Sequence, residues 1–351
     1  MSFTDELKSA VTPRAALLVI GVLALQLLFI ASYVGALHDP KPKDVPFGVV
    51  APGPAAKETA DKLGKLPGDP LDPRVLKDEA AAQHQIMNRD IDGALLLDPQ
   101  GTDDTLLVGS GGGSALATAL EKIATEVEGA EKRTVKTVDV APASARDFDG
   151  LSSFYLVVGW CVGGYLCASI LAISAGARAT NRQRALIRTG VMALYSIAGG
   201  LGGALIIGPV LGALPGSIMG LWGLGSLVVF SVGMITLALQ SLTGIVGIGL
   251  AVLLVVIAGN PSAGGAFPLP MLPPFWKEIG PWLPPGAGTW VARSIAYFKG
   301  NAITGPMLVL AAWAVLGTVI TLAMSALRGD RQPGRRPAME EPETDTGAHR
   351  R

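Results

Sequence analysis

Charge is scarce in this sequence. Lys, Arg, Asp and Glu make up 16% of its 351 residues, against about 25% in an average soluble domain. Lys plus Arg number 28 and Asp plus Glu also 28, so the formal net charge is zero. That excludes the broad positive field of a nucleic-acid binder. Cysteine is nearly absent. Cys161 and Cys167 sit six residues apart in one apolar stretch. Two Cys and three His exclude a disulfide scaffold and a Cys/His zinc centre. Catalytic and cofactor signatures are missing too. There is no P-loop, no Gly-x-Ser-x-Gly and no His-Glu-x-x-His. The expectation is a non-enzyme without a cofactor, unable to hydrolyse ATP by the P-loop route.

What is plentiful is apolar surface. Half of the residues are hydrophobic, 45 are Gly, and the mean hydropathy is +0.45. A soluble core cannot use that much, so the chain reads as a membrane protein. Six stretches are long and apolar enough to span: about 15–37, 153–177, 192–214, 217–240, 242–259 and 304–327. The fifth is near the short limit. None carries Asp, Glu, Lys, Arg or His in its apolar body, which argues against an ion-coupled pump. The first run has about 23 residues, longer than the 7–15 of a signal peptide's apolar region, and reads as an uncleaved anchor. Before it, in 1–14, Phe3, Leu7 and Val11 recur every four residues. That pattern suits a short amphipathic helix on the cytoplasmic leaflet, or else a frayed terminus.

Lys/Arg placement gives the orientation. Arg178, Arg182, Arg184 and Arg188 lie between the second and third spans, and the tail begins with Arg328, Arg331, Arg335 and Arg336. Both belong in the cytoplasm. Residues 38–152 carry 20 acidic and 13 basic side chains and belong outside. The expected fold is therefore a polytopic α-helical membrane protein. It has six transmembrane helices, both termini cytoplasmic, and an extracytoplasmic insert between helices 1 and 2. The tail 328–351, rich in Pro, Arg and Glu, reads as disordered.

The insert alternates between periods. Strands are expected at Val45–Val50, Arg74–Lys77, Gly93–Leu97, Thr105–Val108 and Val135–Val140. Helices are expected at Ala55–Leu66, Glu79–Asn88 and Ser114–Val127. That order is an α/β domain. A Gly-rich turn, Gly109 to Gly113, precedes the last helix. Such a turn can hold a phosphate, but without GxGxxG or GxxxxGK[ST] it reads as a flexible turn with Ser114 as N-cap. His38 and His84 stand alone and read as solvated surface.

The second outside region, 260–301, is rich in Pro and aromatics. Eight Pro fall between 261 and 285, and seven aromatic residues between 267 and 298. Short helices are expected at Pro274–Ile279 and Thr289–Lys299. Aromatic density suits the membrane–water interface. The region reads as a dip into the outer leaflet backed by protein, or as an interfacial loop. The Gly pairs 159/163, 199/203, 208/212 and 216/220 permit close helix contact, within one bundle or across a homodimer.

The local pattern is Asn260-Pro261-Ser262-Ala263-Gly264-Gly265, then Pro268, Leu272-Pro273, Ile279, Leu283-Pro284 and Arg293. With the order of spans and insert, it resembles type-2 ABC exporter permeases, and within them the YhgE/Pip (phage infection protein) branch. The resemblance is architectural over the whole chain and motif-level over about 260–295. It implies a permease subunit that dimerises and is driven by a separate ATPase. Residues 177–190, with Arg178, Arg182, Arg184 and Arg188, would be the coupling helix. Asn260, Pro261, Gly264, Gly265, Pro268, Pro273, Pro284 and Arg293 would belong to re-entrant helices closing the outer mouth. The uncharged spans suit an amphiphilic or lipid-like cargo drawn from membrane lipid in a bacterial cell membrane. The competing expectation is a cell-envelope receptor or assembly factor acting through the insert.

Overall fold

A computed structural model describes Glu6 and residues 12–329. The expected N-terminal amphipathic helix and disordered tail lie almost wholly outside the described residues.

Five helices are long and apolar enough to cross a membrane, which fits a polytopic membrane protein. Helix α1 (Pro13–Leu37) starts where Thr12 Oγ1 accepts the Ala15 amide and Pro13 supplies a preset φ. After the insert come α5 (Ser152–Ala175), α6 (Arg182–Leu205, continued by a π-turn to Val210), α7 (Ile218–Thr243) and α11 (Thr304–Gly329). Helix α7 is the central one, packing on α5, α6 and α11. The Trp160 indole of α5 wedges against Gly203 and Gly225, and its Nε1 donates to Gly199 O at 3.2 Å.

Several boundaries differ from the sequence reading. In the insert, the second strand covers Leu71–Val75 rather than 74–77, and the first helix ends at Leu63 rather than Leu66. Two differences fall in the membrane helices. Helix α6 begins at Arg182 rather than near 192, because Asn181 caps it by accepting the Arg184 amide at 2.9 Å. Three of the four loop arginines are therefore helical. The fifth apolar stretch is a shorter helix over Val246–Gly259. It is α-helical to Val252 (α8), then π-helical.

Contacts sort the connections into two groups. At one end, Arg178 Nη2 donates to Leu242 O at 3.2 Å, Arg328 Nη2 donates to Ser241 O, and Leu17 and Leu18 border Arg178 and Gly244. At the other end, Arg146 reaches Leu211 O at 3.4 Å and Arg293 reaches Gly150 O at 3.2 Å. The Val246–Gly259 helix leads from the first group to the second. It can be short because the following segment, 260–298, folds back among the helices.

The insert is a five-stranded sheet in the order β2-β1-β3-β4-β5. The strands are β1 (Val45–Val50), β2 (Leu71–Val75), β3 (Gly93–Leu96), β4 (Asp103–Val108) and β5 (Thr134–Asp139). Only the β3–β4 pair is antiparallel, as a short hairpin requires. The helices are α2 (Ala55–Leu63), α3 (Glu79–Met87) and α4 (Ser114–Ala130). Period 2 divides the core. Phe47, Leu95 and Leu106 pack against α2 and α4 with Leu63 and Leu120. Ala94 and Leu107 pack against α3 with Ala82 and Ile86. At one sheet edge, Arg133 clamps the buried Asp104 carboxylate through two bonds of 2.6 Å, with Glu128 beside it.

Candidate functional site

The segment after Gly259 is held by backbone chemistry before any side chain can act. Pro273 precedes α9 (Pro274–Ile279), and Pro284 opens α10 (Pro284–Tyr297). Proline suits both places, since a first-turn N–H has no intrahelical partner to lose. Helix α10 begins at Pro284, five residues before the expected Thr289, and it is buried along most of its length.

The motif residues converge. Arg293, 3% exposed, donates to Gly264 O at 2.6 Å, Gly265 O at 2.7 Å and Gly150 O at 3.2 Å. One planar guanidinium thus joins the Asn260–Gly265 turn, α10 and Gly150, two residues before α5. Gly264 has φ 69°, the left-handed region where a Cβ is strained. Pro261 is buried in the same turn. Asn260 Oδ1 is buried there without a hydrogen-bond partner.

The insert closes on this segment. Arg89, just after α3, lays its guanidinium over the Trp290 ring, 3.4 Å from the centroid. The same group donates to Trp290 O at 2.9 Å and Ser294 Oγ at 3.0 Å. Asn301 Nδ2 donates to Met87 O at 3.0 Å. The Lys43 amide donates to Pro270 O at 2.9 Å. Tyr297 OH donates to Asp147 Oδ2 at 2.5 Å.

The Gly-rich turn has its explanation here. A Cβ on Gly111 would strike the Tyr297 ring, and one on Gly113 would strike Pro268. Gly113, not Ser114, is the N-cap residue of α4, and it makes no side-chain cap. The turn is a close-packed seam at Gly111 and Gly113.

Between these parts lies a cavity of about 590 Å³, within the range of about 300–1,000 Å³ of ligand pockets. The insert contributes Pro46, Arg89 and Asp92. The turn contributes Ala263, Gly264 and Leu269. Lys277 comes from α9, while Thr289, Trp290 and Arg293 come from α10. Thr304 to Pro306, the first turn of α11, complete the wall. Burial lowers the pKa of Arg89 to about 9, and nearby Arg293 adds to the effect. Arg89 stays a cation at neutral pH. Burial pushes the Asp92 carboxyl up to about 6, against the pull of Arg89 and Lys277. Among the described residues, no group of three or more His, Cys, Asp or Glu is arranged to hold a metal ion.

The four arginines of 177–190 divide in two. Arg188 is buried and donates to Ala175 O at 2.8 Å and Gly176 O at 2.7 Å, closing the end of α5. Arg178 holds Leu242 O. Arg182 and Arg184 are exposed, and their side chains make no hydrogen bond or ion pair among the described residues.

Sequence reasoning reached Arg293 and the turn through the resemblance. It passed over Arg89, Asp92, Trp290 and Lys277 as site residues. The one available signal was the aromatic density of 260–301. Comparison with family models, with curated proteins and with solved structures gives no match to this chain.

Proposed function

We propose that this chain is the membrane subunit of a type-2 ABC exporter, resembling the YhgE/Pip branch. The observation that carries the reading is the segment 260–298. Its short helices fold back among the long ones, are tied by Arg293, and wall a cavity beneath the α/β insert. A re-entrant element of this kind is what an exporter needs at its outer mouth, since irregular backbone at membrane depth must be buried in protein or line a cavity.

In this reading the Val246–Gly259 helix is the fifth of six crossings and the insert lies outside a bacterial cell membrane. The arginine-rich end lies in the cytoplasm. The first turns of α6, with exposed Arg182 and Arg184, receive a separate ATPase. Arg178 and Arg188 hold helix ends instead. The cargo is amphiphilic and enters from membrane lipid. The working unit is a homodimer. The chain itself performs no catalysis.

The test is a pull-down of the detergent-solubilised protein with mass spectrometry of what accompanies it. The expected result is a P-loop ATPase that is lost when Arg182 and Arg184 are both changed to Glu. Recovery of envelope proteins alone, held through residues 45–140, would favour a receptor or assembly factor instead.

A further inference from the structure

The cavity's charges are not balanced as a structural core would balance them. Three cations line it: Arg89, Lys277 and Arg293. None has a carboxylate oxygen within 4.0 Å among the described residues. Their hydrogen bonds go to backbone carbonyls and one hydroxyl. Arg293 Nε is buried with no partner at all. Buried charges are normally paired, because desolvation is costly. Two carboxylates, Asp44 and Asp92, also line the cavity, so cations outnumber carboxylates by one among the lining side chains, while the buried Asp147 acts on Arg293 from outside the lining.

The walls supply the rest. Leu269, Ala263, Ala287 and prolines make the lining mainly apolar. The cavity runs to the first turn of α11, where Thr304 and Gly305 are exposed. An N-terminal helical turn adds favourable potential for an anion. Close by, Trp282 is 69% exposed, and its carbonyl accepts Trp313 Nε1 at 2.8 Å. An exposed Trp there suits the membrane–water interface.

We propose that this cavity seats the phosphate-bearing head of an anionic amphiphile, with Arg89, Lys277 and Arg293 as its cationic contacts and the apolar tail leaving past the start of α11. The assignment rests on the exporter reading for its place at the outer membrane surface. A free phosphate shares the same recognition chemistry, so the test separates the two sources.

The experiment is native mass spectrometry of the full chain, delipidated in detergent and titrated with phosphatidylglycerol or phosphatidylcholine. The expected result is roughly tenfold tighter retention of phosphatidylglycerol, a difference of about 1.4 kcal/mol. Arg89→Gln should abolish the preference. Because Arg89 also holds the seam, Lys277→Gln is the second variant. It gives up only a 3.3 Å bond to Lys43 O, and it should reduce the preference without changing the melting temperature. Equal retention of the two lipids, or a preference that survives both substitutions, would overturn the proposal. Displacement of phosphatidylglycerol by equimolar inorganic phosphate would overturn its amphiphile half. None of these readouts involves an ATPase. A lipid preference without ATPase recovery defeats the exporter reading alone. ATPase recovery without a lipid preference defeats the headgroup site alone.

Discussion

Arg89 and Trp290 are 201 residues apart, yet the guanidinium of one lies 3.4 Å above the ring of the other. That contact joins the insert to α10. It also forms one wall of the cavity, so insert position and cavity shape are mechanically the same variable. A cation over an aromatic face contributes about 0.5–2 kcal/mol, and the two hydrogen bonds add to it. Arg89→Ala should lower stability by roughly 2–3 kcal/mol. It should also raise hydrogen exchange at the start of α10 before the sheet itself opens. Exchange that rises first in β1–β5 would show that the contact carries no such load.

Arg293 makes a sharper case. Its guanidinium serves three carbonyls at once. Removing it leaves buried acceptors unpaired, at about 1–3 kcal/mol each. Arg293→Ala should cost roughly 3 kcal/mol or more, and Arg293→Lys should recover little, because an ammonium lacks the planar fork. Thermal unfolding of both variants in detergent checks this. Full rescue by Lys would mean that charge alone matters.

The insert was largely legible in the sequence, and the seam was not. Strand β1 is legible at Val45–Val50, its observed bounds, because a short apolar run rich in Val and Phe is bracketed there by Asp44 and Pro52. Helix α4 announced itself through Leu116 and Leu120 on one face. The start of α6 was missed because Arg182, Gln183 and Arg184 hide a helix from a hydropathy window, although Asn181 was a visible cap. Nothing in the local sequence marks Arg89 and Asp92. What gives them meaning is Trp290 and Lys277, some 200 positions away, and local pattern carries no information on such pairings. The glycines 109–113 suggested looseness or phosphate. Only the facing Tyr297 and Pro268 explain them as the opposite, a place with no room for side chains.

Tight packing makes that last point testable. Gly111→Ala places a methyl against Tyr297, whose hydroxyl is committed to Asp147. The ring cannot yield without breaking that bond. The substitution should cost about 1–3 kcal/mol, as overpacking does. Gly129→Ala, with nothing within 4 Å of its Cβ, sits inside α4 and should be neutral or stabilising by up to about 1 kcal/mol. The reverse ranking in a melting experiment would refute the seam.

The clamp at Asp104, Glu128 and Arg133 should make stability depend on pH in two opposite ways. Burial pushes the Glu128 carboxyl up to about 7, and the neighbouring Asp104 carboxylate raises it further. Folded Glu128 therefore keeps a proton that the unfolded chain releases above about pH 4.3. Stability should fall between about pH 4.5 and 7, and then level off. The shift corresponds to at most about 3.5 kcal/mol. Asp104 runs the other way. Burial raises its carboxyl, but the bonds from Arg133 and the Asp98 amide outweigh burial and leave it lowered. Its contribution is present at neutral pH and lost as pH falls below about 4. Glu128→Gln should remove the decline between pH 4.5 and 7 and keep the acid limb. Melting temperatures of both proteins across pH 3–8 decide the matter.

Asp92 should tune the cavity itself. Its carboxyl faces Arg89 and Lys277, with Arg293 and Asp44 on the same lining. Burial holds it near 6, so it is mainly ionised at pH 7.5 and mainly neutral at pH 5. A phosphodiester head keeps one negative charge across that interval, so only the protein changes. Protonating Asp92 removes a negative charge facing the ligand and raises the excess positive charge of the lining. At separations of several ångströms and an effective dielectric near 20, one charge is worth about 1–3 kcal/mol. Phosphatidylglycerol should therefore bind roughly tenfold more tightly at pH 5 than at pH 7.5. Asp92→Asn should bind tightly at both, with no pH dependence left. Binding that weakens on acidification would mean that Asp92 does not face the bound anion.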